Sequence, residues 1–428
     1  MHWKLLGVLI LLWLGSFYWS ELVTLTFIIL GLYSLKGSTQ IIQAFSIISL
    51  LQLINPGIAI ISNNSLKWMV ITLPFLWIIV HFFNSPYKNL NKFSLANTHL
   101  TFGFFLLPLC LISSYHPTIS TLKLLAFMAA GFTILKSFEL SDSTLNYWQN
   151  WFNTLFTFIL FGSLCMLLTP YGYFRNGRGF QGIFNHPQVL GVIAGLSSIW
   201  FFSQQKSLLK YTLGGLSLIL VFFSKARIGF ILIVASTLLL IVLETIFDKR
   251  IRLNSGVKTL MIFLFIIGIP TFLLLEDSTE LMRHFFLKRT PQSGLMESFG
   301  ESRGHLIQKS LDNFFQNPLT GIGLGVNSDF NFNSAQLSNT LDIPLSAPTE
   351  KGFMPSAILE ELGILGAVLT LGYLIFISLK IPFSNSSNYA WLYFATLSIN
   401  LGEFVFFSFG GLGLFQWLLI AFCCTLDK

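Results

Sequence analysis

The feature that most restricts the fold of this chain is a series of apolar runs separated by short polar connections. At about 1.5 Å rise per residue, most of these runs are long enough to cross a bilayer as a helix, and open strands would leave backbone groups without partners in lipid. We therefore predict an all-α, polytopic transmembrane helix bundle with about 12 to 14 crossings. The runs lie near 5–19, 22–35, 40–62, 68–83, 98–115, 121–137, 150–169, 187–203, 208–224, 227–247, 257–275, 356–379, 389–408 and 411–426.

The composition excludes a water-soluble globular protein. Hydrophobic residues make up 54% of the 428 residues and charged residues only 10%, with a mean hydropathy of +0.72, whereas soluble domains carry about 25% charged residues. The net charge of +7 does not indicate a nucleic-acid partner, because the basic residues are spread thinly between the apolar runs. Membrane lipids are the expected surroundings.

The lysines of the short connections predict the orientation in the membrane. With a cytoplasmic N-terminus, eleven basic residues fall on the inner side, in agreement with the positive-inside rule; they are Lys36, Lys88, Lys92, Lys136, Lys206, Lys210, Lys249, Arg250, Arg252, Lys258 and Lys380. The same alternation places 171–186, 224–227 and 277–355 on the outer face. We divide the chain into N-terminal transmembrane helices (1–169), central transmembrane helices with arginine-bearing outer loops (170–276), a long outer loop (277–355) and C-terminal transmembrane helices (356–428).

The long outer loop is predicted to be partly helical. Ser302 is suited to cap a helix that runs to about Gln316, and apolar residues at helical spacing would let it lie on or dip into the membrane surface. Asn317-Pro318 ends this helix. The glycine run 321–325 resembles a phosphate-binding loop, but no strand precedes it, so the pattern is only a weak indication of nucleotide binding.

Two positively charged outer loops are candidates for an anion site. Arg175 and Arg178 lie in the first loop and Arg227 lies in the second, with glycines close by in the sequence. Arginine binds phosphate through paired hydrogen bonds, and glycines let backbone N–H groups approach the same anion. The alternative is that these arginines only reach to lipid headgroups or mark the interface. His186, before Pro187 at a helix start, is expected to be a structural cap or packing residue.

Further ionisable residues lie in and after the long loop. They are Arg303, His305, Glu350, Lys351, Glu360, Glu361 and Glu403. A carboxylate inside a membrane span is costly and indicates function by default, although a hydrogen bond or a cationic partner between helices is an equally open explanation for Glu361 and Glu403. The sequence contains no metalloprotease motif, no clustered Cys and His, and no nucleophile elbow. We therefore expect no bound metal and no cofactor.

Five segments, taken together, resemble the O-antigen ligase and O-antigen polymerase superfamily of bacterial membrane glycosyltransferases. They cover about residues 170 to 380, and they are Arg178-Gly-Phe-Gln-Gly-Ile-Phe-Asn-His-Pro-Gln-Val-Leu-Gly191, Ser224-Lys-Ala-Arg227, Ser302-Arg303, Asn317-Pro-Leu-Thr-Gly-Ile-Gly-Leu-Gly325 and Leu359-Glu-Glu-Leu-Gly-Ile-Leu-Gly366. No single segment is specific, and the earlier helices match only in hydropathy. Their order, with a long outer loop before a late crossing, carries the resemblance.

The resemblance implies a metal-independent enzyme of the bacterial inner membrane. Such an enzyme takes a glycan from undecaprenyl pyrophosphate at the periplasmic face and passes it to an acceptor hydroxyl, on lipid A-core in a ligase or on a second lipid-linked glycan in a polymerase. By position, Arg178 and Arg227, with Arg303 and Arg175, would bind the pyrophosphate, where negative charge grows as the glycosidic bond breaks. A base would deprotonate the acceptor.

The sequence departs from the family at the expected base. Ligases of this family place a histidine just ahead of the helix that begins near 356, and this chain has Glu350-Lys-Gly-Phe there. Glu350 or His305 is then the candidate base, or the chain is polymerase-like or divergent. A transporter or flippase of a lipid-linked or anionic substrate is the alternative of another class, and it would require charged or broken helices within the bundle.

Overall fold

The computed structural model describes residues 2–15, 18–19, 21–58, 66–84, 94–173, 179–204, 207–246, 256–260, 304–329, 336–337, 344–346, 351–381 and 387–425. Four of the predicted site residues lie outside these ranges: Arg175, Arg178, Arg303 and Glu350. The same holds for Ser302 and for most of the predicted crossing at 257–275. The roles given to these residues remain predictions.

The described chain is built from helices. They are α1 (His2–Gly15), α2 (Glu21–Ser34), α3 (Ser38–Leu51), α4 (Leu66–Asn84), α5 (Leu95–Ile112), α6 (Pro117–Leu140), α7 (Leu145–Met166), α8 (Pro187–Ser203), α9 (Leu208–Ser224), α10 (Arg227–Ile246), α11 (His305–Gln316), α12 (Met354–Leu379), α13 (Ser387–Ser398) and α14 (Gly411–Cys424). Short 3-10 turns follow α7 at Pro170–Tyr173 and α13 at Ile399–Leu401. The strands β1 (Gln336–Leu337) and β2 (Pro344–Ser346) form one antiparallel pair.

The helical architecture predicted from the apolar runs is confirmed for these residues. Among the described helices, α5, α6 and α12 are long and apolar enough to cross a membrane, which supports a membrane protein. Two runs differ from the sequence expectation, because α3 stops at Leu51 and α13 stops at Ser398. Each run continues into turns that contain glycine, and after α3 also Pro56, a residue that cannot continue the backbone hydrogen-bond ladder.

Contacts divide the chain into two compact units that interleave along the sequence. The first unit comprises Met1–Trp151, Lys309–Ile381 and Glu403–Lys428, and the second comprises Phe152–Gln308 and Pro382–Gly402. In the first unit α5 packs closely on α6, because Gly103 faces Met128 and Gly131 faces His99. Small residues at a helix crossing let two backbones approach, which is how helices associate in lipid.

The second unit packs α8 against α9, α10 and α13. At the crossing of α8 and α10, a Cβ atom on Gly229 would lie 2.3 Å from the carbonyl oxygen of Gly191, so the two backbones touch there. The core is aromatic, with Trp200 and Trp391 fully buried. Their indole N–H groups donate to Asn153 Oδ1 (2.8 Å) and to Thr237 Oγ1 (3.2 Å), so their polar atoms are satisfied.

Helix α12 carries an apolar stripe on its outer side. Ile364, Val368, Leu371, Ile375 and Leu379 recur every three or four residues and are 45–75% exposed. Contiguous exposed apolar surface of this kind is unusual on a soluble protein and normal on a helix that faces lipid. The stripe therefore agrees with a membrane-spanning α12.

Candidate functional site

The two arginine-bearing segments predicted to face outward are brought together in the second unit. The N–H group of Phe180 donates to the carbonyl oxygen of Phe223 (3.0 Å). A Cβ atom on Gly179 would lie 2.7 Å from the carbonyl oxygen of Ser224, so the backbones touch at this point. Gly179 directly follows Arg178, and Ser224 opens the turn that ends at Arg227. Two segments about fifty residues apart therefore share one location.

Local chemistry explains why the chain turns sharply before Arg227. Lys225 adopts a left-handed conformation with φ 52° and terminates α9. The Ser224 hydroxyl oxygen accepts a hydrogen bond from the Ala226 N–H group (3.2 Å), which fixes the turn. Arg227 then becomes the first residue of α10 and is half-buried.

His186 has the capping role expected for it. Its Nδ1 atom accepts a hydrogen bond from the N–H group of Gln188 (3.2 Å) at the start of α8, where Pro187 occupies the first turn. A cap satisfies one of the free backbone N–H groups at a helix start. His186 therefore positions the helix that follows the first arginine segment.

A second polar centre lies in the first unit, where helix α12 is broken. Gly363 lies inside the helix with φ 62° and ψ −167°, which are not helical values. The N–H groups of Ile364 and Leu365 donate outside the helix, to the carbonyl oxygens of Pro318 (2.9 Å) and Leu319 (3.2 Å). The chain after α11 thus supplies two acceptors that the helix itself would normally provide.

The same loop also binds the other side of the break. The carbonyl oxygens of Glu360 and Glu361 accept hydrogen bonds from the N–H groups of Ile322 (2.8 Å) and Gly323 (2.9 Å). The segment 318–323 therefore makes two hydrogen bonds with the helix after the break and two with the helix before it, in place of the helical hydrogen bonds that are lost there. Two amides of the glycine run are used to hold α12, so this run has a structural role that the sequence pattern did not reveal.

Glycine is required where the loop meets the broken helix. A Cβ atom on Gly363 would lie 2.4 Å from the carbonyl carbon and oxygen of Leu319. A Cβ atom on Gly321, whose φ is +69°, would lie 2.6 Å from the carbonyl oxygen of Glu360. Both positions combine a positive φ with close backbone contact, and only glycine meets both conditions without strain.

A cluster of four charged side chains lies beside the break. Lys351 Nζ is 3.1 Å from Glu360 Oε2 and 3.4 Å from Glu361 Oε1, and Lys123 Nζ of α6 is 3.7 Å from the same Glu361 oxygen. The side chains of Glu360 and Glu361 are fully buried and that of Lys351 is 2% exposed. Two positive and two negative charges balance, which keeps the cost of burial down.

The two glutamates differ in their hydrogen bonding. Glu360 Oε2 accepts a bond from the Ser310 hydroxyl (2.7 Å) and Glu360 Oε1 accepts one from Asn313 Nδ2 (2.7 Å), both from α11. Within the described ranges neither carboxylate oxygen of Glu361 accepts a hydrogen bond of good geometry, and neither does Lys351 Nζ donate one, although all three lie within ionic distance of a partner. Glu360 is satisfied by hydrogen bonds from α11, and Glu361 is held by the ammonium groups of Lys123 and Lys351.

Helix α11 faces this cluster with its polar side. Ser310 and Asn313 are its buried residues, while Phe315 is 72% exposed. Of the apolar residues predicted to form a stripe on this helix, Phe315 is exposed, whereas Leu306, Ile307, Leu311 and Phe314 are half-buried. The predicted end of the helix at Gln316 is confirmed.

The predicted base candidates are only partly described. His305 is the first residue of α11 and is exposed. The sequence analysis missed Lys123, Ser310 and Asn313. Lys123 carried a usable signal, because it is a charged residue within a predicted crossing; the two neutral residues carried none.

Within the described ranges, no three His, Cys, Asp or Glu side chains stand close enough together to hold a metal ion. A scan against protein-family models and a search of curated proteins both return no match for this chain.

Proposed function

We propose that this chain is an O-antigen ligase-like glycosyltransferase of the bacterial inner membrane. It moves a glycan from undecaprenyl pyrophosphate to an acceptor hydroxyl, that of lipid A-core, at the periplasmic face. In this proposal the chain forms a multi-pass bundle of about 12 to 14 crossings with a cytoplasmic N-terminus. The proposal rests on the ordered segments that resemble this superfamily and on the contact between two of them.

The observation that carries the proposal is the meeting of the two arginine-bearing segments at Phe180 and Phe223. A pyrophosphate leaving group carries several negative charges, and two cationic segments at one location suit its binding better than isolated arginines would. Arg178 and Arg227 are assigned to this group, with Arg175 and Arg303 assisting. Positive charge on an outer face runs against the positive-inside rule, so an anionic partner also accounts for its presence.

A polymerase that joins lipid-linked repeats uses the same donor and is retained as the alternative within the class. Both reactions need the pyrophosphate site, and they differ only in the acceptor. The absence of a histidine ahead of α12 leaves both open, with Glu350 and His305 as the base candidates named by the sequence.

A transporter or flippase is the second candidate, and one specific observation favours it. Helix α12 is interrupted at Gly363 beside buried charges, and interrupted helices with charged surroundings are typical of transporter substrate sites. The matching broken helix in a second repeat, which many transporters possess, is not found among the described residues. The enzyme is therefore the leading proposal.

The test is an assay of the purified chain in lipid nanodiscs with an undecaprenyl-pyrophosphate-linked glycan. One sample receives lipid A-core and a second receives only more lipid-linked glycan. Transfer in the first sample supports a ligase, and chain growth in the second supports a polymerase. If neither sample forms product and the chain moves lipid-linked glycan across the bilayer of proteoliposomes, the enzyme proposal is wrong and the transporter proposal is supported.

Arg227→Ala tests the site itself. We expect it to reduce transfer by about 100-fold or more, the usual effect of losing a group that stabilises developing charge. Lys225→Asn is the matched control, because it removes a neighbouring positive charge while asparagine tolerates the left-handed backbone of that position. Equal rates for the two variants, at equal melting temperature, would contradict a specific role for Arg227.

A further inference from the structure

The buried charge cluster of the first unit, formed by Lys123, Lys351, Glu360 and Glu361, has hydrogen-bonding capacity that the described residues leave unused. Glu360 accepts two short hydrogen bonds from α11. Neither oxygen of Glu361 accepts a hydrogen bond of good geometry from a described residue, and Lys351 Nζ donates none, although all three atoms are buried. Buried polar atoms without hydrogen bonds are costly, so native proteins keep them mainly where a water molecule or a ligand completes them.

The charges of the cluster favour a neutral ligand. Two ammonium groups and two carboxylates balance, so a bound anion or cation would add an uncompensated charge to a buried place. The unused atoms are of both kinds, because the two Glu361 oxygens are acceptors and Lys351 Nζ is a donor. A hydroxyl is a neutral group that donates and accepts at once, and two neighbouring hydroxyls match the two oxygens of one carboxylate.

The distances around Glu361 also suit bridging hydroxyls. Its Oε1 atom lies 3.7 Å from Lys123 Nζ and 3.4 Å from Lys351 Nζ, whereas a direct charge-assisted hydrogen bond measures about 2.7–2.9 Å. A hydroxyl oxygen beside such a pair accepts from the ammonium group and donates to the carboxylate, so it makes two charge-assisted hydrogen bonds. The ion pairs are therefore close enough to hold their charges and open enough to share a ligand.

Lys123 and Phe404 form the accessible side of the cluster. The Lys123 side chain is 20% exposed, whereas the other three charged side chains are at most 2% exposed. Lys123 Nζ lies 5.8 Å from the ring centroid of Phe404, which is half-buried, and the Phe404 N–H group donates to the carbonyl oxygen of Lys351 (3.3 Å). An aromatic ring beside a few polar groups is typical of ligand sites, where the ring gives contact area and the polar groups fix orientation.

We propose that the charge cluster and Phe404 bind a sugar ring. Hydroxyl groups of the sugar bridge Glu361 to the two ammonium groups, and the C–H face of the ring packs on Phe404, because partly positive C–H groups suit the negative face of an aromatic ring. The class of ligand rests on the proposed function, in which the protein handles a glycan. The site requires no contact with the arginine-bearing segments, and no proton or covalent bond is transferred at it.

The test measures binding instead of transfer. The purified protein in lipid nanodiscs is titrated with two probes by isothermal titration calorimetry. One probe is the oligosaccharide released by mild acid from the undecaprenyl-pyrophosphate-linked glycan, and the other is the core oligosaccharide released from lipid A-core. We expect one of them to bind, and its identity distinguishes a donor sugar from an acceptor sugar. Binding of neither probe would overturn the inference.

Two variants identify the site. Lys123→Met keeps the packing of the lysine stem and removes the ammonium group, and we expect binding to weaken by about 10-fold or more, the usual effect of losing a hydrogen bond to a charged group. Phe404→Leu keeps an apolar side chain and removes the aromatic face, for which we expect about threefold or more. The matched controls are Lys136→Met on the same helix and Phe315→Leu, whose ring is 72% exposed on α11. Both controls should bind the probe with unchanged affinity.

The outcomes separate the sugar site from a cluster completed by water. If the Lys123 and Phe404 variants bind the probe as tightly as the unaltered protein, at equal melting temperature, the inference is wrong. If Lys123→Met lowers the melting temperature, Phe404→Leu decides, because it changes no charge. Transfer without binding that depends on these residues would leave the proposed function and remove the sugar site. Binding that depends on them, in a protein that transfers no glycan, would leave the sugar site and remove the enzyme.

Discussion

His99 shows how a polar side chain is kept inside an apolar helix pair. The imidazole is fully buried in α5 and its Nε2 atom donates to the carbonyl oxygen of Phe127 (3.1 Å). The hydroxyl of Tyr373 lies 2.7 Å from Nδ1, where a neutral ring accepts its hydrogen bond. Rings of Phe127, Tyr373 and Trp417 surround the imidazole. Both nitrogens are satisfied, which is the condition for burying histidine without a charge partner.

Tyr373→Phe is expected to destabilise the protein by about 1–3 kcal/mol, because it leaves His99 Nδ1 buried without a hydrogen bond. The change keeps the ring and its contacts. The measurement is the melting temperature of the purified protein in nanodiscs. Tyr18→Phe is the control, since the Tyr18 side chain is 89% exposed and such changes usually stay within about 0.5 kcal/mol. If the Tyr373 variant has the same melting temperature as the control, this hydrogen bond contributes little to the stability of the protein.

At the residue scale, the buried charged residues could be recognised in the sequence, but the residues that hydrogen-bond to them could not. Glu360 and Glu361 were recognisable because carboxylates in a predicted crossing are rare. Ser310 and Asn313 were not, since small polar residues in a loop helix are ordinary and their target is about fifty residues further along the chain. The different hydrogen bonding of Glu360 and Glu361 could not be predicted either, because it depends on these distant partners.

At the scale of elements, the break in α12 forms only because a distant segment of the chain packs against it. The sequence of the helix is apolar apart from Glu360 and Glu361, so hydropathy predicted one continuous crossing. Its interruption depends on the loop 318–323, which supplies hydrogen bonds on both sides of Gly363. In lipid, irregular backbone is tolerated only where protein surrounds it, and the loop provides that protein.

Gly363→Ala is expected to destabilise the protein, because alanine adds about 1–3 kcal/mol of backbone strain at a positive φ and its Cβ would overlap Leu319. The loop must then move away from the helix. Gly372→Ala in the same helix is the control: a Cβ there meets nothing within 4 Å, and alanine improves helix propensity by up to about 1 kcal/mol. Melting temperatures should separate the two variants, with only the first lowered. Similar values would mean that the loop does not enforce the break.

At the scale of the whole molecule, the helices expected from apolar runs were largely found, whereas the boundaries of the two units were not predictable. Apolar runs identify helices because the pattern is local. The units interleave, since the first unit takes residues from three separate stretches of the chain. Assembly of that kind is determined by contacts between distant residues, such as those of Lys123 with Glu361, which a hydropathy pattern does not encode.

The orientation in the membrane gives the last prediction. Helix α6 has 24 residues, about 36 Å of helix, which exceeds the hydrocarbon thickness of about 30 Å. Residues 317–329, which follow α11, pack near the start of α6, where the Tyr115 N–H group donates to the Ile322 carbonyl oxygen (2.9 Å). Asp142 follows the opposite end of α6 and is exposed. The two aspartates should therefore lie on opposite sides of the membrane.

Single cysteines at Asp329 and Asp142, in a chain whose four native cysteines are replaced by alanine, test this arrangement with a membrane-impermeant maleimide on whole cells. We expect outer-membrane-permeabilised cells to label Asp329→Cys at once, and Asp142→Cys only after the inner membrane is opened, because the proposed topology places Lys136 at the cytoplasmic end of α6. The reverse pattern would keep α6 as a crossing but invert the chain and remove the periplasmic site. Labelling of both positions from outside would show that α6 does not cross the membrane.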